Sequence, residues 1–271
     1  GPVAAFVAIK QLGTNGGGFF GTNSAHPFEN PNYITNFTEM VSQMLIPFAL
    51  VFAFGYFIKR RKLSWTIFAV MSIGFLSLMA MNVAFENAGN PALQEMGANI
   101  SLGNMEGKEI RFGSSASAYW SVATTVIATG SVNSMHDSYM PLSGMNMLLA
   151  MMINCFYGGV GVGILNYLVF IILAVFISGL MVGRTPEFLG KKIEAKEMKI
   201  AMVIALLHPL LILAGTALTA YQPQFGTATL NNPSFQGFSE MLYEFTSASA
   251  NNGSGFEGLG DNTPWWNIST G

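Results

Sequence analysis

Gly13-Thr14-Asn15-Gly16-Gly17-Gly18-Phe19-Phe20 is the stretch from which the rest of the chain is read. It follows a short apolar segment, Val3–Leu12. Two similar stretches lie downstream, Thr-Gly-Ser-Val-Asn-Ser at Thr129–Ser134 and Ala-Asn-Asn-Gly-Ser at Ala250–Ser254. All three carry glycine and asparagine, none carries a charge, and each closes a segment long enough for about half a bilayer. Glycine admits backbone conformations closed to residues with a Cβ. Within a bilayer such irregular backbone persists only where protein or a water-filled cavity surrounds it.

The composition supports a membrane setting. Of 271 residues, 51% are hydrophobic, 13% aromatic and only 10% charged, against about 25% charged in an ordinary soluble domain. A net charge of −2 gives no reason to expect a nucleic-acid partner. The single cysteine, Cys155, excludes an internal disulfide. Gly1-Pro2-Val3 enters an apolar segment with no basic region before it, so the start reads as a cut and no signal peptide is expected.

Spans follow from length, since crossing a bilayer takes about 20 apolar residues. Met40–Ile58 and Leu63–Phe85 form a hairpin around a tight basic turn, Lys59-Arg60-Arg61-Lys62. Glu86–Gly113 reads as an aqueous loop, and Ser114–Ala128 as a polar half-length helix feeding the second glycine stretch. Ser138–Gly183 is uncharged for 46 residues, more than twice one span. Tyr157–Gly163 within it holds Gly158, Gly159, Gly161 and Gly163, which should break any helix before the convincing span Ile164–Val182. Arg184–Lys199 is basic, Ile200–Ala220 is a further span, and Phe238–Ser249 is a half-length segment before the third glycine stretch.

The order repeats: half-helix, glycine loop, span, basic turn, span, polar linker, half-helix. Gly16 and Gly130 are 114 residues apart, Gly130 and Gly253 123, a period suited to duplicated membrane units and too long for a solenoid. Residues 1–62 then form one unit from pore half-helix through the following span. Residues 63–183 form the next, 184–199 a basic cytoplasmic loop, and 200–271 a further unit up to and past its glycine loop. Nine of the twelve Lys and Arg residues fall in Lys59–Lys62 and Arg184–Lys199. The positive-inside rule puts those turns in the cytoplasm, so the glycine loops open outward.

A half-helix aims the negative end of its dipole at the middle of the bilayer, and the following loop adds carbonyl, Asn, Thr and Ser oxygens. Rings of such neutral oxygens replace the hydration shell of a monovalent cation, whereas Ca²⁺ or Mg²⁺ calls for carboxylates. The expectation is an all-α, pore-forming membrane protein with three re-entrant loops that selects K⁺, completed to four by missing sequence or by another chain.

Gly13–Pro31 (GTNGGGFFGTNSAHPFENP), Gly130–Pro141 (GSVNSMHDSYMP), Gly183–Lys199 (GRTPEFLGKKIEAKEMK) and Thr246–Leu259 (TSASANNGSGFEGL) resemble the potassium-binding A subunits of bacterial Kdp potassium-transporting ATPases. The resemblance covers essentially the whole chain, and RTPEFLGKKIE is its most specific element. It implies a fold shared with the Trk and Ktr potassium transporters, with four pseudo-symmetric membrane–pore–membrane units around one filter. Thr14, Asn15, Gly16 and Gly17 would form the second filter segment. Thr129, Gly130, Ser131, Val132 and Asn133 would form the third, aligned on Thr129-Gly130-Ser131. Asn251, Asn252, Gly253 and Ser254 would form the fourth. Gly158, Gly159, Gly161 and Gly163 would be the intramembrane gating loop beneath the filter. Further implied are K⁺ as the only bound ion, no ATP site, and a multi-pass location in the bacterial inner membrane with the filter mouth on the periplasmic side. The implied partners are the bilayer, an ATP-hydrolysing P-type B subunit and small C and F subunits. The basic turns are most simply topology determinants, and for a secondary role in contacting a partner's cytoplasmic domains the residues expected are Arg184, Thr185, Pro186 and Glu187.

Blander readings stand beside these. Small residues also serve close helix packing in membranes, and Gly158–Gly163 could be a packed kink. His26, His136 and His208 sit near no Cys or carboxylate at metal spacing and suit structural hydrogen bonds. Asp137 is either a cation-concentrating group at the mouth or an ordinary loop cap. The chain carries neither a phosphate-binding GxxxxGK[ST] motif nor the Asp-Lys-Thr-Gly of P-type pumps, so a partner would supply energy for active transport. The rival function is a stand-alone Trk- or Ktr-like channel or symporter. An intramembrane hydrolase would need a paired nucleophile and base, and Cys155 has no evident partner.

Overall fold

The computed structural model describes residues 1–271. Its order is α1 (Pro2–Leu12), α2 (Tyr33–Phe57), α3 (Arg61–Ala88), α4 (Pro91–Glu95), α5 (Gly113–Ile127), α6 (Pro141–Ile153) and α7 (Val162–Val182). A two-stranded antiparallel ribbon follows, β1 (Glu187–Phe188) on β2 (Lys191–Lys192), then α8 (Ala195–Tyr221), α9 (Phe235–Ser249) and α10 (Pro264–Ser269). Four helices, α2, α3, α7 and α8, are long and apolar enough to cross a membrane.

The centre of the bundle is α5, and its sequence explains why. Ser, Thr and Ala dominate it, so it is too polar to face lipid, and small side chains let neighbours come close. Twelve of its fifteen residues are buried, with Trp120 and Ile127 fully enclosed. Asn82 of α3 donates to Ser121 Oγ at 2.9 Å and to the Ala118 carbonyl at 3.1 Å, joining the two helices through polar groups hidden from the hydrocarbon. Around them Val51, Ile67, Met71, Phe75, Val126 and Tyr157 pack as the main apolar core. By contrast α7 buries only Gly163 and Ile164, leaving Phe170, Ile177 and Leu180 outward, a surface suited to lipid tails.

Several element boundaries differ from those expected. Helix α2 begins at Tyr33, seven residues before Met40, under a capping box in which Asn32 accepts from Thr35 N and Thr35 Oγ1 accepts from Asn32 N. Its first turns are polar because Asn36 and Glu39 face protein, so hydropathy fades where the helix does not. Helix α3 starts inside the basic turn at Arg61 and runs on to Ala88. Glu86, expected in an aqueous loop, is therefore helical and fully buried. The break in the long uncharged run opens at Asn154, left-handed at φ 41°, and Gly163 already lies in the first turn of α7. The basic segment after α7 folds into the ribbon and the first turn of α8.

Charge is sorted sharply. The three ion pairs, Lys10–Glu29 (2.5 Å), Lys108–Glu86 (2.9 Å) and Arg111–Glu109 (2.5 Å), use the three cations outside the basic turns. The nine cations of the two turns form none.

Candidate functional site

The three glycine loops meet. Helices α1, α5 and α9 each end where a loop begins, and each loop repeats one backbone device. A non-glycine residue in the left-handed region is followed two positions later by a left-handed glycine. The pairs are Thr14 (φ 51°) and Gly16 (62°), Ala128 (57°) and Gly130 (78°), and Asn251 (56°) and Gly253 (91°). A side-chain-bearing residue held there costs roughly 1–2 kcal/mol, so three repeats of the motif mean that the surroundings enforce it. The glycines set the register: Ala128-Thr129-Gly130 matches Thr14-Asn15-Gly16 and Asn251-Asn252-Gly253, which places Ser131 one residue beyond the third loop's glycine.

The contacts run in sequence from loop to loop. A Cβ on Gly16 would stand 2.5 Å from the Thr129 carbonyl oxygen and against Gly130. A Cβ on Gly130 would collide with the Asn252 carbonyl oxygen and meet the Gly253 backbone at 3.2 Å. A Cβ on Gly253 would meet nothing within 4 Å. The third loop thus lies between the other two, and Thr129, Ser131 and Asn133 are wholly buried. Asn15, Gly17, Asn251 and Gly253 are exposed, while Thr14, Asn252 and Ser254 are buried.

Of the expected filter residues, only Ser131 and Val132 have carbonyls that accept a hydrogen bond from the protein. The carbonyls of Asn15, Gly16, Thr129, Gly130, Asn252 and Gly253 accept no hydrogen bond from the protein. Those of Ser131 and Val132 are taken, by Trp120 Nε1 at 2.8 Å and by Ser24 N at 2.8 Å. The Asn133 side chain turns to Asn36 Oδ1 at 3.1 Å. Asn252 anchors its own loop by donating to the Thr124 carbonyl at 2.7 Å and accepting from Ser254 N at 2.9 Å. Unpaired carbonyls beside three helix C-termini make a region of negative potential without formal charge.

A supporting shell, not foreseen from the sequence, holds the loops. Val132 N donates to Asn23 Oδ1 at 3.2 Å, and Asn36 also accepts from Asn30 at 2.9 Å. The third and fourth loops are tied by His136 Nδ1, 2.9 Å from the Tyr243 hydroxyl, which lies 3.0 Å from Ser254 Oγ. Burial, then the Lys108 charge, push the His136 imidazole down to about 3, so it stays neutral. The other histidines also take hydrogen bonds, His208 with Ser249 Oγ at 2.8 Å and His26 with Phe28 N at 3.2 Å. The signal for this shell was the run of Asn and Ser between Thr22 and Asn36, polar residues in a stretch too short to be a free linker.

The glycine break packs against the start of the third loop, because Gly159 N donates to the carbonyl of Ile127, the last residue of α5. A Cβ on Gly163 would collide with the Gly158 nitrogen, so that glycine permits the close fold-back, while Gly159 and Gly161 are left-handed at φ 51° and 98°. Arg184, Thr185 and Glu187 are exposed and Pro186 is buried near Gly179, at the far end of α7 and so about 30 Å from the break. Asp137 accepts from Asn232 at 2.9 Å and Gln236 at 2.5 Å just beyond the third loop. No group of three His, Cys, Asp or Glu side chains is arranged to hold a metal ion.

Residues 1–271 match the family described as "KdpA: Potassium-transporting ATPase A subunit". The chain is 65% identical to the potassium-transporting ATPase potassium-binding subunit of Flavobacterium johnsoniae, over 100% of this chain and 49% of that protein. It is 61% identical to the protein of the same description from Parabacteroides distasonis, over 100% and 49%. For that of Geobacillus kaustophilus the figures are 54%, 100% and 48%. The chain thus spans about half the length of the curated relatives it matches.

Proposed function

The chain belongs to the potassium-transporting ATPase A subunit family, and from that premise we propose that it is the potassium-binding, ion-translocating part of an ATP-driven uptake complex. Thr14–Gly17, Thr129–Asn133 and Asn251–Ser254 supply three arcs of one selectivity filter. Within them the unpaired carbonyls at Asn15, Gly16, Thr129, Gly130, Asn252 and Gly253 replace the water around K⁺, while Ser131, Val132 and Asn133 brace the arc from behind. The observation that carries this reading is the run of glycine-to-carbonyl approaches, Gly16 on Thr129 and Gly130 on Asn252, through loops that share one backbone pattern. Packed turns with no ion to hold would have no need to leave the carbonyls of Gly16, Thr129, Gly130 and Asn252, all on buried or half-buried residues, unpaired.

A fourth arc comes from the rest of the full-length protein. A polar cavity of about 300 Å³, lined by Thr14, Asn15, Ser247, Asn251, Asn252 and Gly253, separates the second and fourth arcs and is the space for it. The four units are then pseudo-symmetric and their loops re-entrant from the outer face. Below the filter the ion meets the break at Gly158–Gly163, which gates its passage towards a P-type B subunit. Arg184–Glu187 contacts that partner, and small C and F subunits complete the complex in the bacterial inner membrane, basic turns inward.

The test is K⁺ uptake by the full-length complex carrying Gly130→Asp. A weakened K⁺ affinity with reduced discrimination against Rb⁺ supports the filter, and unchanged affinity overturns it.

A further inference from the structure

Behind the second and third loops lies a polar network that the filter reading does not use. Lys10 and Gln11, adjacent residues at the end of α1, are 4% and 1% exposed. The Gln11 amide donates to Glu39 Oε2 at 2.7 Å and to Ser131 Oγ at 2.9 Å. Ser24 Oγ donates to the same Glu39 oxygen at 3.0 Å and lies 3.2 Å from Ser131 Oγ. Lys10 Nζ reaches Glu29 at 2.5 Å and Ser24 Oγ at 2.6 Å. Through Asn23 and Ser24 the same shell grips both the N–H and the carbonyl of Val132.

Charges and amides in such a place are costly. Well-packed apolar side chains of similar volume would often serve stability as well or better than a buried ionic group, and ionisable residues at membrane depth are rare and tied to function. The geometry also has a direction. Gln11 lies two residues before Gly13, and its amide spans from Glu39 on α2 to Ser131 in the third loop. It therefore couples the helix that carries one loop to the residue following the glycine of the next. Glu39, accepting from both Gln11 and Ser24, fixes which way the amide faces.

We propose that Gln11, oriented by Glu39, is a positioning residue that sets the spacing between the second and third glycine loops through Ser131, and so sets which monovalent cation fits. This rests on the filter reading. The clamp holds the carbonyls of Thr129 and Gly130 at fixed distance from Gly16, and loosening it lets the opening relax towards other ions.

The test uses the full-length protein in its transport complex, measuring the K⁺ and Rb⁺ dependence of uptake. Gln11→Leu, close in volume but without the amide, should raise the half-saturating K⁺ concentration about tenfold, the scale of one lost hydrogen bond. It should also shrink the preference for K⁺ over Rb⁺ while leaving the maximal rate largely intact. Gln11→Asn should recover part of the preference. Ser131→Ala should reproduce the shift, and the Gln11→Leu, Ser131→Ala double variant should be no worse than either alone, since both remove one link. If Gln11→Leu fails to assemble, Ser131→Ala by itself decides. Unchanged ion preference in that variant, or additive losses in the double variant, overturns the clamp. Gly130→Asp measured in parallel separates the two ideas: a shift there with none at Gln11 or Ser131 removes the clamp and keeps the filter. No shift in any of them removes both.

Discussion

The carbonyl oxygen of Asn252 occupies the place that a Cβ on Gly130 would take, although the two residues stand 122 positions apart in the chain. Nothing but glycine fits at that contact without moving one loop off the other. Gly17 differs: it is left-handed at φ 72°, but a Cβ there would meet nothing within 4 Å. Gly17→Ala therefore carries only backbone strain of roughly 1–2 kcal/mol, whereas Gly130→Ala adds a clash at the site itself. The expected outcome in K⁺ uptake assays is a markedly larger loss of K⁺ affinity for Gly130→Ala than for Gly17→Ala. Equal losses would mean that strain alone, and not the meeting of loops, matters.

The linker after α3 is pinned by Lys108 and Glu86, whose side chains are both 0% exposed. Lys108 Nζ lies 3.9 Å from the centre of the Tyr139 ring, and Glu86 also accepts from Asn104 at 2.9 Å and from Met140 N at 2.9 Å. Lys108→Met leaves a buried carboxylate without its counter-ion and should destabilise the protein by about 3–5 kcal/mol. Adding Glu86→Leu should restore much of that. Thermal unfolding of the purified full-length protein would show it, and a Lys108→Met variant as stable as the parent would contradict it.

Glu257, in the loop after Gly253, is pushed up to about 7 from the ordinary 4.5, chiefly by burial and opposed by backbone N–H donors including that of Asp137. Its folded pKa exceeds its unfolded one, so the folded state holds the proton more tightly. The associated stability is fully present below about 4.5 and is lost as pH rises through about 7. Glu257→Gln should flatten the fall in stability across that window. An unaltered slope would place the proton elsewhere.

Sidedness is open to direct labelling. In a Cys155→Ala background, Lys62→Cys in the first basic turn should react with a membrane-impermeant thiol reagent only from the cytoplasm. Glu95→Cys in the linker after α3 should react only from outside. The reverse pattern would invert the topology that the positive charges predict.

Much of this was legible because it rests on local chemistry. Span lengths, the basic turns, the break near Gly158 and the three glycine loops follow from hydropathy and from what glycine permits. What escaped depends on long-range partners. Glu86 reads as a loop residue until Lys108, 22 positions on, is seen to neutralise it. The start of α2 was hidden because Asn36 and Glu39 look like water-facing residues and instead face the loops. In the third loop the left-handed pair begins at Ala128, one residue before the Thr129-Gly130-Ser131 stretch that the sequence brings forward, and nothing in the letter Ala signals that conformation. Gln11 is silent in the sequence for the same reason: its partner Ser131 lies 120 residues away.

The most direct measurement is a structure of the full-length protein with Rb⁺ or Tl⁺ in place of K⁺, with the ion located by its anomalous or excess scattering. The expected result is a peak enclosed by the carbonyls of Gly16, Thr129, Gly130 and Asn252. A heavy ion bound elsewhere in the protein, with that position empty, would contradict it.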